Sequence, residues 1–255
     1  MKGYVILIAS VAALGGLLFG FDTAVIAGTL QYLTKYFTLN DLQLGLVVGA
    51  TSIGCIPGAF VSGKLADAYG RKKVMLLTAV LYVIAALGSG LAGSFAILVV
   101  FRLVGGLAIG MASTIAPIYI SEVAPAGVRG RLGMLQQLAI VVGILLSFIS
   151  NYLIAGHPAL GQEVWRYMLG AAVIPSTIFF LLLFLVPESP RWLVLKGKAA
   201  EGGRIFGKIS GDPAEASVQV VAVENDVQGT ATLAEVFAPR YRRVVIIGLD
   251  RKSVV

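Results

Sequence analysis

The chain has 255 residues, of which 58% are hydrophobic and only 13% are charged, and its mean hydropathy is +0.90. A soluble domain carries about 25% charged residues, so this composition excludes an ordinary soluble protein and indicates a polytopic membrane protein. The net charge of +7 could suggest nucleic-acid binding. The basic residues, however, fall mostly between or after apolar runs, which membrane topology explains better, so we expect no nucleic-acid partner.

Six apolar runs make up most of the chain, and each is long enough to cross a lipid bilayer at about 20 residues per span. This pattern predicts an all-α membrane protein whose residues 1–193 form a six-helix transmembrane bundle. The predicted spans cover residues 4–30, 42–64, 74–93, 95–120, 132–155 and 165–186.

Lysine and arginine are distributed unequally between the two sides of these spans. One side has Lys35 and, at a span edge, Arg166. Because cytoplasmic loops carry an excess of basic residues, we expect the other side, and therefore the N-terminus, to be cytoplasmic in a protein of the cell (plasma or inner) membrane. That side has Lys2, Lys64, Arg71, Lys72, Lys73, Arg129, Arg131, Arg191, Lys196 and Lys198.

Residues 194–241 are more polar and predict an intracellular segment of short amphipathic helices. Residues 242–255 begin with a seventh apolar run of about eight residues, too short for about 30 Å of hydrocarbon at 1.5 Å per residue. We interpret 242–255 as the truncated start of a seventh span: either the chain is a fragment or its last residues are not native. Within 194–241, four residues repeat at helical spacing, although a run of valines is equally typical of a strand: Ala216, Val220, Val223 and Val227.

Glycines four residues apart occur within several spans and allow helices to approach closely. They are not nucleotide-binding loops, because no strand precedes them and no Lys-Ser/Thr follows. No cluster of His, Cys or carboxylates has metal-ligand spacing, and the only histidine, His157, lies in a loop. We therefore expect neither an enzyme nor a metal or cofactor site. The glycine pairs are Gly16/Gly20, Gly45/Gly49, Gly54/Gly58 and Gly106/Gly110.

Asp22 is the only ionisable side chain of the first apolar run apart from tyrosine. A carboxylate in hydrocarbon costs roughly 2.5–3.5 kcal/mol even on insertion scales, so it is rare there and indicates a functional site with a partner. The alternative is a structural Asp that bonds to neighbouring threonine or backbone groups.

Four motifs together resemble the sugar porter family of the major facilitator superfamily, over residues 4–248. They are the span 1 pattern ending in residues 19–28 (FGFDTAVIAG), G-x-x-x-D-x-x-G-R-K-K at 63–73, PIYISEVAP at 117–125 with Arg129-Gly130, and PESPRW at 187–192. The second motif alone indicates only the superfamily, whereas all four in this order are specific.

The resemblance implies a fold of twelve helices in two halves, each built from two inverted three-helix repeats. This chain resembles the N-terminal half and the intracellular helical segment. The implied partners are a monosaccharide, the lipid bilayer and a C-terminal six-helix half, which supplies most of the polar contacts to sugar in the family.

Arg102 lies in the fourth span, which is the inverted-repeat counterpart of the first. It could partner Asp22, because two opposite charges in one bundle cost less paired than apart. In proton-coupled sugar porters the matching Asp binds the proton and the matching Arg is its partner, whereas facilitators commonly have a neutral residue at the Asp position. The resemblance thus implies proton-coupled symport, with the proton as coupling ion. A static buried ion pair remains the alternative.

The resemblance also assigns sugar contacts to the first and fifth spans. Gln137 matches a sugar-contacting glutamine, and a buried primary amide both donates and accepts hydrogen bonds, as sugar hydroxyls require. Gln136 has no such support and could face another helix. Phe19, Ile140 and Ile144 match residues that line the sugar pocket, and the isoleucine at 144 favours a hexose over xylose. Without the resemblance, these apolar residues are more simply explained by packing.

Charged residues at the cytoplasmic span ends form a separate group, which holds the outward-facing state through salt bridges in the family. Single pairs at a wet interface contribute only about 0.2–1 kcal/mol, but a network can bias a two-state equilibrium. Some of the basic residues are plain topology signals instead. The predicted gate network consists of Asp67, Arg71, Glu122, Arg129, Glu188 and Arg191.

The sequence therefore predicts half of a monosaccharide carrier, of the proton-coupled symport type, that works by alternating access. Two alternatives stay open: a facilitator without proton coupling, and a transporter-like sugar sensor.

Overall fold

A computed structural model describes residues 2–227, so the predicted seventh span and residues 228–241 lie outside the described part of the chain. The described residues form α-helices joined by short turns and by 3-10 turns at Ala126–Val128, Pro158–Glu163 and Leu183–Leu185. The helices are α1 (Lys2–Phe37), α2 (Asp41–Tyr69), α3 (Arg71–Gly90), α4 (Phe95–Val123), α5 (Arg129–Ala155), α6 (Val164–Gly170), α7 (Val173–Leu182), α8 (Pro190–Leu195), α9 (Ala199–Ser210) and α10 (Pro213–Val227).

Six helical segments are long and apolar enough to span a membrane, as the sequence predicted. They are α1 to α5 and a sixth segment, Gly161–Leu185, which includes α6 and α7. The sixth segment is interrupted between α6 and α7 at residues 171–172. The sequence predicted one continuous span there, because hydropathy does not distinguish a broken helix from an unbroken one. α1 also continues past the predicted end of its span to Phe37, where Thr38 adopts a positive φ of 50° and Asn40 caps α2.

Helix packing is reciprocal between the first three spans and the last three. α2 packs along α4 and α5 packs along α1, while α3 packs on α4 and α6 on α1. The first helix of each three-helix unit thus contacts the second and third helices of the other unit. This exchange is what two inverted repeats require.

Glycines permit the two closest of these contacts. A Cβ on Gly54 of α2 would collide with the carbonyl oxygen of Leu103 in α4, and a Cβ on Gly20 of α1 would collide with the backbone of α5. The predicted pair Gly45/Gly49 behaves differently, because a Cβ on either residue meets no atom within 4 Å. Close approach at that pair is a wrong prediction for residues 2–227, since this part of α2 turns towards open space.

We call the end of the bundle where α2 ends and α3 begins the motif end, and the opposite end, at the turn between α3 and α4, the turn end. At the turn end Arg166 of α6 donates hydrogen bonds to the carbonyls of Gly90 (3.3 Å) and Ala92 (2.8 Å) and to the Tyr36 hydroxyl (3.1 Å). Its guanidinium also lies 4.6 Å from the ring centroid of Trp165. Arg166 therefore joins the ends of α1, α3 and α6.

The helices after the bundle pack at the motif end. α10 is a helix rather than a strand, and its predicted apolar stripe contacts Val194 of α8 and Phe206 of α9 through Ala216, Val220 and Val223. Ile205 and Ile209 of α9 belong to the core of the bundle itself. The short helices are therefore docked on the transmembrane helices.

The glycine contacts predict a difference between two Gly→Ala substitutions in α2. Gly54→Ala should lower the stability of the chain by about 1–3 kcal/mol, because the added methyl group overpacks the α2–α4 contact. Gly45→Ala adds the same methyl group in open space, where the higher helix propensity of alanine is the only effect. Thermal unfolding of both variants in detergent would measure the difference, and equal melting temperatures would contradict the assigned packing.

Candidate functional site

Asp22 and Arg102 form a salt bridge between α1 and α4 in the interior of the bundle. Nη1 of Arg102 donates to both carboxylate oxygens of Asp22, at 2.9 and 3.0 Å. The Arg102 side chain is only 3% exposed, whereas that of Asp22 is 16% exposed. The carboxylate therefore retains partial access to solvent while its partner is enclosed.

Small residues of α3 and α4 leave room for the Asp22 carboxylate. A Cβ on Gly105 would lie 3.5 Å from the Cβ of Ala85 and 3.9 Å from Oδ1 of Asp22. Two polar groups of α3 and α4 are buried without a hydrogen bond inside the described part of the chain, namely the hydroxyl of Tyr82 and Nε of Arg102. Arg102 therefore pairs with Asp22 through Nη1 and keeps unused hydrogen-bonding capacity at Nε.

The predicted sugar-binding residues lie on α1 and α5, which pack against each other. Gln137 is exposed on α5, and Ile140 and Ile144 follow it on the same face, each partly buried. Phe19 is partly buried on α1, one turn before Asp22. Phe19 and Asp22 therefore share one face of α1, and Gln137, Ile140 and Ile144 share one face of α5, because residues three or four apart in a helix are neighbours.

Gln136 differs from its neighbour Gln137. It is 8% exposed and packs against Gly16 of α1, where an added Cβ would lie 2.8 Å from its Nε2. Gln136 therefore faces another helix, while Gln137 faces away from it.

A network of charged side chains joins α2, α3 and α4 at the motif end. Arg71 makes a bidentate contact with Glu122, through Nε to Oε2 (3.0 Å) and Nη2 to Oε1 (3.0 Å). Its Nη1 donates to Asp67 at 3.1 Å. The side chains of Arg71 and Glu122 are each 9% exposed, whereas that of Asp67 is 77% exposed. The Arg71–Glu122 pair is therefore the enclosed part of the network.

Glu188 joins this network by capping the N-terminus of α3. Its Oε1 accepts hydrogen bonds from the backbone N–H groups of Arg71 (2.8 Å), Lys72 (3.0 Å) and Ser189 (2.8 Å). Gly70 before α3 has φ +101°, and a Cβ there would collide with the Glu188 carboxylate. An anion at a helix N-terminus is stabilised by the unpaired N–H groups and the helix dipole, so Glu188 fixes the start of α3 to the segment before α8.

Arg129 and Arg191 occupy a neighbouring position. Together with Glu122 they line a cavity of about 360 Å³ between the end of α4 and helices α9 and α10. Within residues 2–227 the hydrogen bond recorded for Arg129 goes to the carbonyl of Ala124, at 3.4 Å. Four of the six predicted network residues are thus in direct contact, and the other two share a cavity with Glu122.

Sequence reasoning missed Tyr82 and the junction at Arg166. A single tyrosine in an apolar span is compatible with simple packing, and an arginine at a span edge is explained by topology. For Arg166, the adjacent Trp165 and the tyrosine at position 36 were the available signals, since arginine stacks on aromatic rings.

The fold and the two charged centres define a class: a helical membrane protein built of two inverted three-helix repeats. A sequence model of the family described as sugar (and other) transporters matches residues 8–250. The chain therefore belongs to this sugar transporter family.

Known proteins of the family are similar along nearly the whole chain. The arabinose-proton symporter of Bacillus subtilis is 39% identical over 252 residues, which cover 97% of this chain and 54% of that protein. The glucose transport protein of Synechocystis is 43% identical over 238 residues, covering 90% and 50%. A solved structure of the proton:xylose symporter XylE bound to 6-bromo-6-deoxy-D-glucose matches with a TM-score of 0.85 and 36% identity, over 89% of this chain and 54% of that one. The chain spans about half the length of these relatives.

Proposed function

We propose that this chain is the N-terminal half of a carrier that transports a monosaccharide together with a proton by alternating access. The single observation that carries the proposal is the enclosed Asp22–Arg102 ion pair in the interior of the bundle. The names of similar proteins support it, since they are an arabinose-proton symporter, a D-xylose-proton symporter and glucose transporters. A pentose or hexose is therefore the proposed substrate, and the proton is the proposed coupling ion, with no other cofactor.

The proposed coupling rests on two opposing effects on the Asp22 carboxyl. Enclosure in the bundle disfavours the charged carboxylate, whereas the Arg102 guanidinium favours it. If α4 moves so that Arg102 leaves Asp22, the carboxyl binds a proton, and protonation in turn favours that conformation by linkage. A carboxylate that is 16% exposed also has the access to solvent that proton exchange requires.

The complete carrier needs a second six-helix half, because sugar enclosed at a midplane site contacts both halves. α2 and α5 are the least buried of the spans, and both expose large apolar side chains, such as Phe60 and Leu138. We propose that these faces pack on the C-terminal half. Basic residues concentrate at the motif end, which we place, with the N-terminus, on the cytoplasmic side of the cell membrane.

Asp22→Asn tests the coupling. In the complete carrier reconstituted into proteoliposomes, this variant should lose accumulation of sugar driven by a pH gradient, because an amide cannot bind and release the proton. Sugar exchange without a gradient should persist. Asp41→Asn is the matched control, since it neutralises an exposed carboxylate at the start of α2 and belongs to neither the ion pair nor the charged network.

Unchanged accumulation by Asp22→Asn would refute proton coupling through this residue. Wild-type carrier that equilibrates sugar but never accumulates it would instead establish the facilitator alternative. Sugar binding without uptake would favour the sensor.

Gln137→Ala tests the sugar site. Loss of the amide should raise the KM for sugar by about tenfold, corresponding to one or two hydrogen bonds at about 0.5–1.5 kcal/mol each, and should leave the melting temperature nearly unchanged because Gln137 is exposed. Gln136→Ala is the contrasting variant: it removes buried packing against α1, so it should lower the melting temperature more than it changes KM. The reverse pattern would exclude Gln137 as a sugar contact.

We propose that the network of Asp67, Arg71, Glu122 and Glu188, with Arg129 and Arg191 beside it, is a cytoplasmic gate that stabilises the outward-facing state. The support is geometric: the network connects α2, α3, α4 and the start of α8 at one end of the bundle. A network of this kind can bias a two-state equilibrium even when each pair is weak.

Glu122→Gln should shift the complete carrier towards the inward-facing state, because it weakens the bidentate contact with Arg71 while keeping the side chain's size. Labelling of single cysteines placed near either end of the bundle would report the shift. Asp67→Asn should have a smaller effect, since Asp67 is 77% exposed and exposed pairs contribute only about 0.2–1 kcal/mol. Identical labelling of Glu122→Gln and wild type at both ends would contradict the gate.

A further inference from the structure

The contact between α1 and α5 is interlocked at backbone level. A Cβ on Gly20 of α1 would collide with the carbonyl oxygen of Ile140, and a Cβ on Gly143 of α5 would collide with the carbonyl oxygen of Leu17. Helices that approach this closely can slide or rotate against each other only after moving apart, because protein interiors are close-packed. α1 and α5 are therefore held in one register over this stretch.

Asn151 of α5 adds a hydrogen bond to this contact. Its Nδ2 donates at 3.1 Å to the carbonyl oxygen of Val25, which lies three residues after Asp22 in α1. Asn151 is 6% exposed, so the bond is shielded from solvent. Gly28 lies against the same side chain: a Cβ there would collide with Nδ2 and would lie 3.0 Å from the Cβ of Asn151. A side chain at position 28 would therefore displace Asn151 from α1.

The contact between α1 and α4 is of a different kind. A Cβ on Gly15 of α1 would lie 3.5 Å from the Cβ of Ala112 and 3.8 Å from the Cβ of Ala116, which are ordinary van der Waals separations. Within the described part of the chain, the salt bridge of Asp22 with Arg102 is the polar link between these two helices. Once that salt bridge opens, no backbone collision near Gly15 prevents a shift of α4 along α1.

We propose that Asn151 is a positioning residue of the carrier, which holds α1 to α5 throughout the transport cycle. α4 then moves against the α1–α5 pair when Arg102 leaves Asp22. Asp22 and the proposed sugar contact Gln137 belong to one rigid pair of helices, whereas Arg102 belongs to α4, which interlocks with α2 at Gly54. The inference deepens the proposed function and rests on it.

Two disulfides that share α1 test the inference in the complete carrier, in a Cys55→Ser background. Gly28→Cys with Asn151→Cys would link α1 to α5, and Gly15→Cys with Ala112→Cys would link α1 to α4. The Cβ separations of 3.0 and 3.5 Å lie near the range of about 3.5–4.5 Å found in disulfides. Oxidation of the α1–α5 pair should leave sugar exchange nearly unchanged. Oxidation of the α1–α4 pair should lower exchange by about tenfold or more, because it blocks a shear between packed helices, and reduction should restore it.

Asn151→Ala gives a second readout. One hydrogen bond favours a contact by about two- to tenfold, so its loss should let α1 follow α4 in part and should lower sugar accumulation relative to exchange by a similar factor. The ratio of accumulation to exchange corrects for any loss of folded carrier. Ser147→Ala is the matched control one turn earlier on the same face of α5: its buried hydroxyl makes no hydrogen bond within residues 2–227, so the ratio should not change.

Exchange that stops on oxidation of the α1–α5 pair, or persists on oxidation of the α1–α4 pair, overturns the inference. Equal loss of accumulation and exchange in Asn151→Ala would show that Asn151 only stabilises the fold. The proposed function fails separately, because exchange needs no proton gradient: if Asp22→Asn still accumulates sugar, proton coupling through Asp22 is refuted, while the two disulfides still report which helices move together.

Discussion

A charge pair enclosed among transmembrane helices constrains everything packed around it. Either ion alone in a low-dielectric interior costs several kcal/mol, and their mutual attraction offsets this only when the geometry is close. The 2.9 Å contact between Arg102 and Asp22 therefore requires α1 and α4 to be held at a fixed separation and depth. The glycine at 105, the alanine at 85 and the reciprocal packing of the two three-helix units satisfy that requirement. Separating the pair would leave a buried guanidinium without its carboxylate, which is costly unless another group or water takes the place of Asp22.

Much of this arrangement could be predicted from the sequence, because charges in apolar runs are conspicuous. Asp22 and Arg102 are isolated ionisable residues in two long spans, and opposite charges in one bundle are driven to pair. The motif that carries Asp67 and Arg71 could be recognised equally well, because it lies at a short turn between two spans. Its partners Glu122 and Glu188 lie at span ends on the same side of the bundle. The six spans followed from length and hydropathy alone. The roles assigned to these residues remain predictions, which transport and binding measurements on the complete carrier would test.

The features that escaped prediction depend on which way a side chain faces. Hydropathy places Gly45 and Gly54 in the same span, but only Gly54 meets α4, because the helix register turns Gly45 towards open space. Arg166 is explained by topology in the sequence, yet in the structure it joins three helix ends through the carbonyls of residues 90 and 92 and the hydroxyl of Tyr36. Tyr82 is one of several aromatic residues in apolar spans, and the burial of its hydroxyl is apparent only once the helices are packed. A single sequence shows which residues each helix contains, but it carries little information on which neighbouring helix each residue contacts.

Two charged centres at different depths share one helix, α4. α4 carries Arg102 towards the turn end and Glu122 at the motif end, about 30 Å apart at 1.5 Å per residue. Coupling between distant sites requires an element with two arrangements that both sites bias, and α4 is the helix that carries a residue of both centres. A displacement of α4 relative to α1 that separates Arg102 from Asp22 would therefore also move Glu122, so α4 physically connects the ion pair inside the bundle with the charged network at its motif end.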